Sequence, residues 1–234
     1  MIKFIKSLVL FSICVFVQAA ETDLYNFSWL DKDKEVYVLQ NRKYRKANKV
    51  HLSAGYGMTT SGAFIDSTSI QLRGGYFFSE NFGLEGIYAK NSGSENEAAA
   101  SVRTSGSGSG SIPFTRIVDS YMGGMLMWAP FYSKINTFNS IIYLDIIFGL
   151  GVGQIEETNN KLQISNLDPT QPLVTETHTG VMWDFQAKFY LSQSWNIRYD
   201  LTAIHYQAMQ ARKDNPAKVW YNNFDMTLAL GFDI

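Results

Sequence analysis

Residues Phe224–Ile234 read FDMTLALGFDI, and the alternation in this stretch decides the fold. Phe224, Met226, Leu228, Leu230 and Phe232 occupy every second position, with Asp225, Thr227, Ala229, Gly231 and Asp233 between them. Successive side chains of a β-strand point to opposite faces, so one face here is greasy and the other small or polar. What matters next is the solvent that meets the greasy face, a protein core or lipid.

The same period recurs along the chain. Val50, Leu52, Ala54 and Tyr56 alternate with His51, Ser53, Gly55 and Gly57. Ile70, Leu72, Gly74, Tyr76 and Phe78 alternate with Ser69, Gln71, Arg73, Gly75 and Phe77, and Leu84, Gly86 and Tyr88 with Glu85, Ile87 and Ala89. Further on, Ile142–Gly153, Val181–Tyr190 and Trp195–Thr202 show it over longer runs. Tyr121–Trp128 is apolar at both parities, which leaves its orientation open. The reading is eight strands, each near the ~9–11 residues that a tilted strand needs to cross a bilayer.

Connections alternate in length. Ser79–Asn81 and Ser192–Ser194 are short, and Pro130–Asn139 is a modest connection between strands four and five. About Thr59–Asp66, Asn91–Thr115, Ile155–Thr177 and Gln207–Lys218 are longer, the second containing the low-complexity run SGSGSGS at Ser105–Ser111. Short turns at one end and long loops at the other describe outer-membrane barrels. Aromatics gather near both ends: Tyr76, Phe77, Phe78, Phe82, Trp128, Phe131, Tyr132, Phe138, Phe189, Tyr190 and Trp195 by the short turns. Tyr56, Tyr88, Tyr121, Tyr206, Trp220 and Tyr221 lie by the long loops. Two girdles of this kind mark membrane interfaces, with Tyr76, Phe78, Phe82, Trp128, Phe131, Phe189, Trp195 and Trp220 as the principal members.

Side-chain bulk chooses between a lipid-facing barrel and a soluble carrier. The interior of an eight-stranded barrel is only wide enough for side chains to fill it. Gly55, Gly57, Gly75, Ala89, Gly149, Gly151, Gly153, Ala229 and Gly231 suit that narrow axis, whereas Trp183, Phe185, Phe189, Trp195, Phe148, Phe224 and Phe232 do not. The bulky face therefore meets lipid, where only a closed barrel satisfies every backbone group. The lumen is expected to hold Arg73, Glu85, Asp145, Asp184, Lys188, Arg198, Asp200 and Asp225, paired as a network because isolated buried charge is prohibitive.

Composition agrees. The chain is 46% apolar and 15% aromatic but only 18% charged. Its start, MIKFIKSLVLFSICVFVQAA, has basic Lys3 and Lys6, a short apolar run and small residues, which reads as a signal peptide over 1–20. Its one cysteine, Cys14, lies there, so a disulfide scaffold is excluded downstream. Removing Lys3 and Lys6 leaves 18 basic against 21 acidic residues, about −3 and no electrostatic case for nucleic acid. A periplasmic segment over 21–48 precedes the barrel, 49–234. Its basic run Arg42, Lys43, Arg45, Lys46 and Lys49 either packs against surplus acid at the periplasmic mouth or forms a solvated arm.

VYVLQNRKYRK (Val36–Lys46), YFFSENFGLEG (Tyr76–Gly86), WAPFYSKI (Trp128–Ile135) and IYLDIIFGLGVG (Ile142–Gly153) together resemble the outer-membrane β-barrel domain proteins of myxobacteria and Bdellovibrio-like bacteria. Ser133 stands where that family usually has a glycine in the turn between strands four and five. The resemblance implies an eight-stranded outer-membrane barrel and no enzymatic activity.

Chemistry-bearing motifs are sparse. Beyond the leader the histidines are His51, His178 and His205, and GxSxG, HExxH and phosphate-binding glycine loops are missing from the sequence. By parity His178 faces the lumen and His205 the lipid, so the two do not converge. The expectation is an all-β, antiparallel, up-and-down transmembrane barrel of structural or porin-like type in the bacterial outer membrane. It is expected to be a monomer without catalytic residues, metal or cofactor, with outer-membrane lipid and the barrel-assembly machinery as partners. A surface-recognition barrel working through its long loops is the alternative, and a lipid-modifying enzyme a more distant one.

Overall fold

Two-residue periodicity becomes β-structure over longer stretches than the alternation alone marks. The computed structural model describes residues 42–104, 111–137, 140–212 and 217–234. Residues 1–20, read as a signal peptide, most of the segment that follows them, nearly all of the SGSGSGS run and Phe138 lie outside the described residues. Eight strands follow in order: β1 (Lys49–Thr60), β2 (Ile65–Phe77), β3 (Phe82–Glu95), β4 (Arg116–Thr137), β5 (Ser140–Asn159), β6 (Val174–Tyr190), β7 (Trp195–Met209) and β8 (Lys218–Asp233). Every neighbouring pair is antiparallel, and β8 returns to β1, closing the ring β1-β2-β3-β4-β5-β6-β7-β8. The FDMTLALGFDI stretch forms that seam, with Leu230 opposite Ala54 and Phe232 opposite Leu52. Closure removes the open edges that hydrocarbon cannot hydrate.

Two tight turns share one device. Ser79 Oγ accepts from the amides of Asn81 and Phe82, and Ser192 Oγ accepts from those of Ser194 and Trp195. A serine hydroxyl that reaches two and three residues ahead replaces a backbone partner and nucleates the turn. Each turn then delivers an aromatic residue, Phe82 or Trp195, to the outer rim at the start of the next strand.

The Pro130–Asn139 connection is corrected: β4 and β5 continue as a paired ribbon from Phe131 opposite Ile146 to Thr137 opposite Ser140. Pro130 falls in a register shift between Trp128 and Phe131, one of the places where a sheet tolerates a residue without an amide proton. The long loops are likewise shorter than read. Asn91–Glu95 belongs to β3, Ile155–Asn159 to β5, and Val174–Thr177 to β6. Two short helices interrupt what remains, α1 (Glu97–Thr104) and α2 (Lys161–Asn166).

Burial sorts the faces by size. Leu126, Leu150 and Leu228 are each more than 60% exposed on the outer wall, with Leu52, Ile70, Leu72 and Leu84 around them. A continuous apolar belt of this extent suits acyl chains and would be an aggregation surface in water. Glycines on the inner face make room for lumen groups. At Gly75 a Cβ would collide with the His51 ring, and at Gly153 with Met182 Sδ. The orientation of Tyr121–Trp128 also resolves: Tyr121, Met125 and Met127 are buried within, while Met122, Leu126 and Trp128 face outward.

Candidate functional site in the barrel lumen

Strand parity delivers charged and amide groups from every wall to the axis. Arg73, Glu85, Asp145, Asp184, Lys188, Arg198, Asp200 and Asp225 are all buried within the ring. In a ring of eight, strands four apart in order face each other across the diameter, and three such pairs are bridged directly. Arg73 on β2 donates from Nη1 to Asp184 Oδ2 on β6 at 2.8 Å. Arg198 on β7 donates from Nη1 to Glu85 Oε2 on β3 at 2.9 Å. Tyr121 on β4 donates its hydroxyl to Asp225 Oδ2 on β8 at 2.7 Å.

Glu85 is the hub. Its oxygens meet Arg73 Nη1 at 3.0 Å, Arg198 Nη1 at 2.9 Å, His51 Nε2 at 2.7 Å and Gln186 Nε2 at 2.8 Å. Arg73 completes its fork on Thr202 Oγ1 at 2.6 Å and Gln71 Oε1 at 3.0 Å, with Asp200 Oδ2 at 3.6 Å from its Nε. Charge-assisted, forked hydrogen bonds of this kind offset the cost of taking guanidinium and carboxylate out of water. Nearer the long loops, Asp225 also accepts from Ser69, Gln71 and Asn223.

Toward the short turns the network ends in two lysines. Lys188 Nζ reaches Asp233 Oδ1 at 2.6 Å, and Lys46 Nζ reaches Asp145 Oδ2 at 2.6 Å. Tyr190 donates its hydroxyl to the same Asp145 oxygen at 2.5 Å. Lys46 belongs to the segment before β1. Of the five cations in the basic run, Lys46 pairs with a lumen acid and is only 2% exposed, while Arg45 stays in solvent. Glu80 Oε2 accepts from the Lys46 amide and Glu80 Oε1 from the Ala47 amide. Tyr44 stacks on Tyr190 with centroids 4.8 Å apart. Asn48 takes the left-handed conformation (φ 61°) that turns the segment into β1, a backbone region asparagine tolerates better than most residues.

At the long-loop end the lumen holds a second cluster. Arg116 lies over the Tyr221 ring, Cζ 4.0 Å from the centroid, and within 3.5 Å of Glu157. Tyr206 donates to Glu157 Oε2, and the His178 ring stacks on Tyr206 at 5.3 Å. Apolar packing by Ile87, Met125, Met127, Ile147, Met182 and Ile204 shares the lumen with these charged groups.

Sequence parity does not single out His51, Arg116, Glu157 and Asp233 as network members, and the sequence offers Lys46 only as one of five cations in a run read either as packed against acid at the periplasmic mouth or as a solvated arm. Alternation marks a face, but the partner that makes a residue a hub comes from a distant strand. Five aromatics read as interfacial turn inward instead: Phe77, Tyr121, Tyr190 and Tyr206 are buried, and Tyr221 packs half-buried against the lumen cluster beneath Arg116. Three of them use a hydroxyl on a lumen carboxylate, an option that makes tyrosine at home on either face. Tyr76, Phe78, Phe82, Trp128, Phe131, Trp195 and Trp220 are exposed on the outer wall, and Phe189 is half-buried there. His178 has the inward parity, while His205 on the outer face accepts from Trp183 Nε1 at 2.8 Å.

The family model described as outer membrane protein beta-barrel domain matches residues 39–232. No curated protein sequence matches the chain. Among solved structures, the N-terminal β-barrel domain of Pseudomonas aeruginosa OprF is similar at 13% identity and TM-score 0.45, covering 80% of this chain and 98% of that one. OprG of the same organism gives 12% identity and TM-score 0.46, covering 83% and 99%. Neisserial surface protein A gives 10% and 0.43, covering 80% and 95%. With a closed eight-stranded ring, a lipid-suited outer belt and a family match over most of its length, the chain belongs to the outer membrane protein β-barrel domain family and resides in the bacterial outer membrane.

Proposed function

We propose that this protein is a non-conducting barrel, a structural element of the outer membrane that holds its loops at the cell surface rather than a pore. One observation carries the reading: side chains bridge three diameters of the ring, Arg73–Asp184, Glu85–Arg198 and Tyr121–Asp225. Groups that meet at 2.7–2.9 Å across the axis leave no open water column between them. Lys46 and Tyr44 add a stopper at the periplasmic mouth.

The protein acts as a monomer without catalysis, with outer-membrane lipid around it and the assembly machinery as its partner during insertion. A second role, recognition by the outer loops, is favoured by α1 and α2, which give those loops local order; Arg103 of α1 is tied to Glu95 at the end of β3. Within its family, the Tyr76–Gly86 and Ile142–Gly153 motifs support placement beside the barrels of myxobacteria and Bdellovibrio-like bacteria. Planar-bilayer recording of the refolded full chain tests the main reading. Current at the level of bare lipid is expected; discrete, repeated openings overturn it.

A further inference from the structure

Glu157 and Glu176 sit directly opposite each other on β5 and β6, and His178 lies two residues along β6 on the same inner face. Like charges opposed across a strand pair repel. Here the pair persists beside an imidazole, and one ligand atom from each of the three residues falls within 4.8 Å of the others. His178 Nε2 is sealed from solvent without a hydrogen-bond partner, although Glu157 Oε1 lies 3.4 Å away. An unused ring nitrogen in such a place is costly, and burial alone does not explain it. We propose that Glu157, Glu176 and His178 form a site for a divalent first-row transition cation, with Zn²⁺ the best fit, at the outer mouth of the barrel.

The geometry supports the class of metal. Two ligands at ~2.1 Å from a tetrahedral zinc stand about 3.4 Å apart, the separation that His178 Nε2 and Glu157 Oε1 already have. Calcium and magnesium prefer all-oxygen shells, so the imidazole turns the site away from them. The ligands are already oriented from outside. Tyr206 donates to Glu157 Oε2 and stacks on the His178 ring, while Asn159 Nδ2 reaches Glu157 Oε1 at 3.2 Å and Glu176 Oε2 at 3.1 Å. Such supporting contacts tune metal sites as much as the ligands do. Three protein ligands leave a fourth position for water.

Two cations compete. Arg116 Nε stands 3.5 Å from Glu157 Oε2, the oxygen turned away from His178. Lys161, in the first turn of α2, pairs with Glu176 Oε1 and must leave when metal enters. Its side chain is 22% exposed, so the ammonium can swing into water. Metal binding therefore releases the tie between α2 and β6 and replaces it with a staple between β5 and β6.

The test titrates Zn²⁺ alone into the refolded, metal-stripped full chain by calorimetry, with Co²⁺ absorption reporting coordination. One ion per chain and a tetrahedral Co²⁺ spectrum are expected. His178→Ala should weaken binding at least about tenfold. Lys161→Met should tighten it about two- to fivefold by removing a partly exposed competitor, and His205→Ala on the outer face should change nothing. Each variant is first checked for heat-modifiable gel migration, so that loss of folding is not mistaken for loss of the site; Lys161→Met, at the half-exposed start of α2, keeps the test open if His178→Ala does not fold. No stoichiometric binding, an octahedral spectrum, affinity unchanged in both His178→Ala and Lys161→Met, or loss in His205→Ala overturns the proposal.

Discussion

Removing Arg73 should be the most damaging conservative change in the lumen, and charge counting within its layer says why. Arg73 and Arg198 stand among Glu85, Asp184 and Asp200. Arg73→Met keeps the length of the side chain but leaves one guanidinium among those carboxylates, and Asp184 then has only neutral donors, Thr202 and Gln186. Breaking a buried pair from one side costs about 3–5 kcal/mol because the remaining charge is stranded. Glu85→Gln instead leaves the two arginines with Asp184 and Asp200, a balanced set, and should cost less by about 2 kcal/mol although it weakens contacts to four partners. The double variant Arg73→Met/Asp184→Asn should recover part of the loss. Equilibrium urea unfolding in lipid vesicles, followed by tryptophan fluorescence, measures all three. A loss below about 1 kcal/mol for Arg73→Met, the range of a solvated surface pair, would refute the dry-network reasoning, as would a larger loss for Glu85→Gln.

Other consequences are open to the same assay. Lys46→Met strands Asp145, leaving it Tyr190 as its hydroxyl donor, and should destabilise the barrel by about 3 kcal/mol; adding Asp145→Asn should restore much of this. Tyr121→Phe removes one of several donors to Asp225 and should cost about 1–2 kcal/mol without altering conductance. Leu150→Arg on the outer belt should cost about 2–4 kcal/mol in a bilayer, whereas an exposed position in water would tolerate it. In the outer loop after α2, the Thr170 hydroxyl and the Gln171 amide hold the Asp168 carboxylate below its usual range. That loop contact is present above the ordinary carboxylate pKa of about 3.9 and lost as pH falls through the lowered value; amide exchange at Thr170 reports it.

Period two made most of the barrel legible in the sequence, because β1, β2 and β5–β8 present large apolar groups outward and glycine or charge inward. It was silent where the lumen is itself apolar. Met125 and Met127 pack inward beside Tyr121, so β4 is greasy at both parities and only its neighbours settle its direction. Polar strand ends such as Glu156–Asn159 and Asn91–Glu95 look like loop because they rise above the lipid, where alternation is no longer enforced. The lumen's pairings were less legible. Lys46 and Asp145 are 99 residues apart, and only the closed ring brings them together. Parity separates His178 from His205, but the neighbours of His178 are set by the β5–β6 register, which places Glu157 opposite Glu176 and which no local pattern encodes.

Which side chains touch lipid is the central claim, and β4 is its sharpest test. The sequence's one cysteine is Cys14, so single cysteines placed at 121–128 in a Cys14-free variant of the full chain can be spin-labelled cleanly. Collision with oxygen dissolved in the acyl region should be high at 122, 124, 126 and 128 and low at 121, 123, 125 and 127. The reverse pattern, or access without alternation, would contradict a barrel whose bulk faces the membrane and whose charges face the axis.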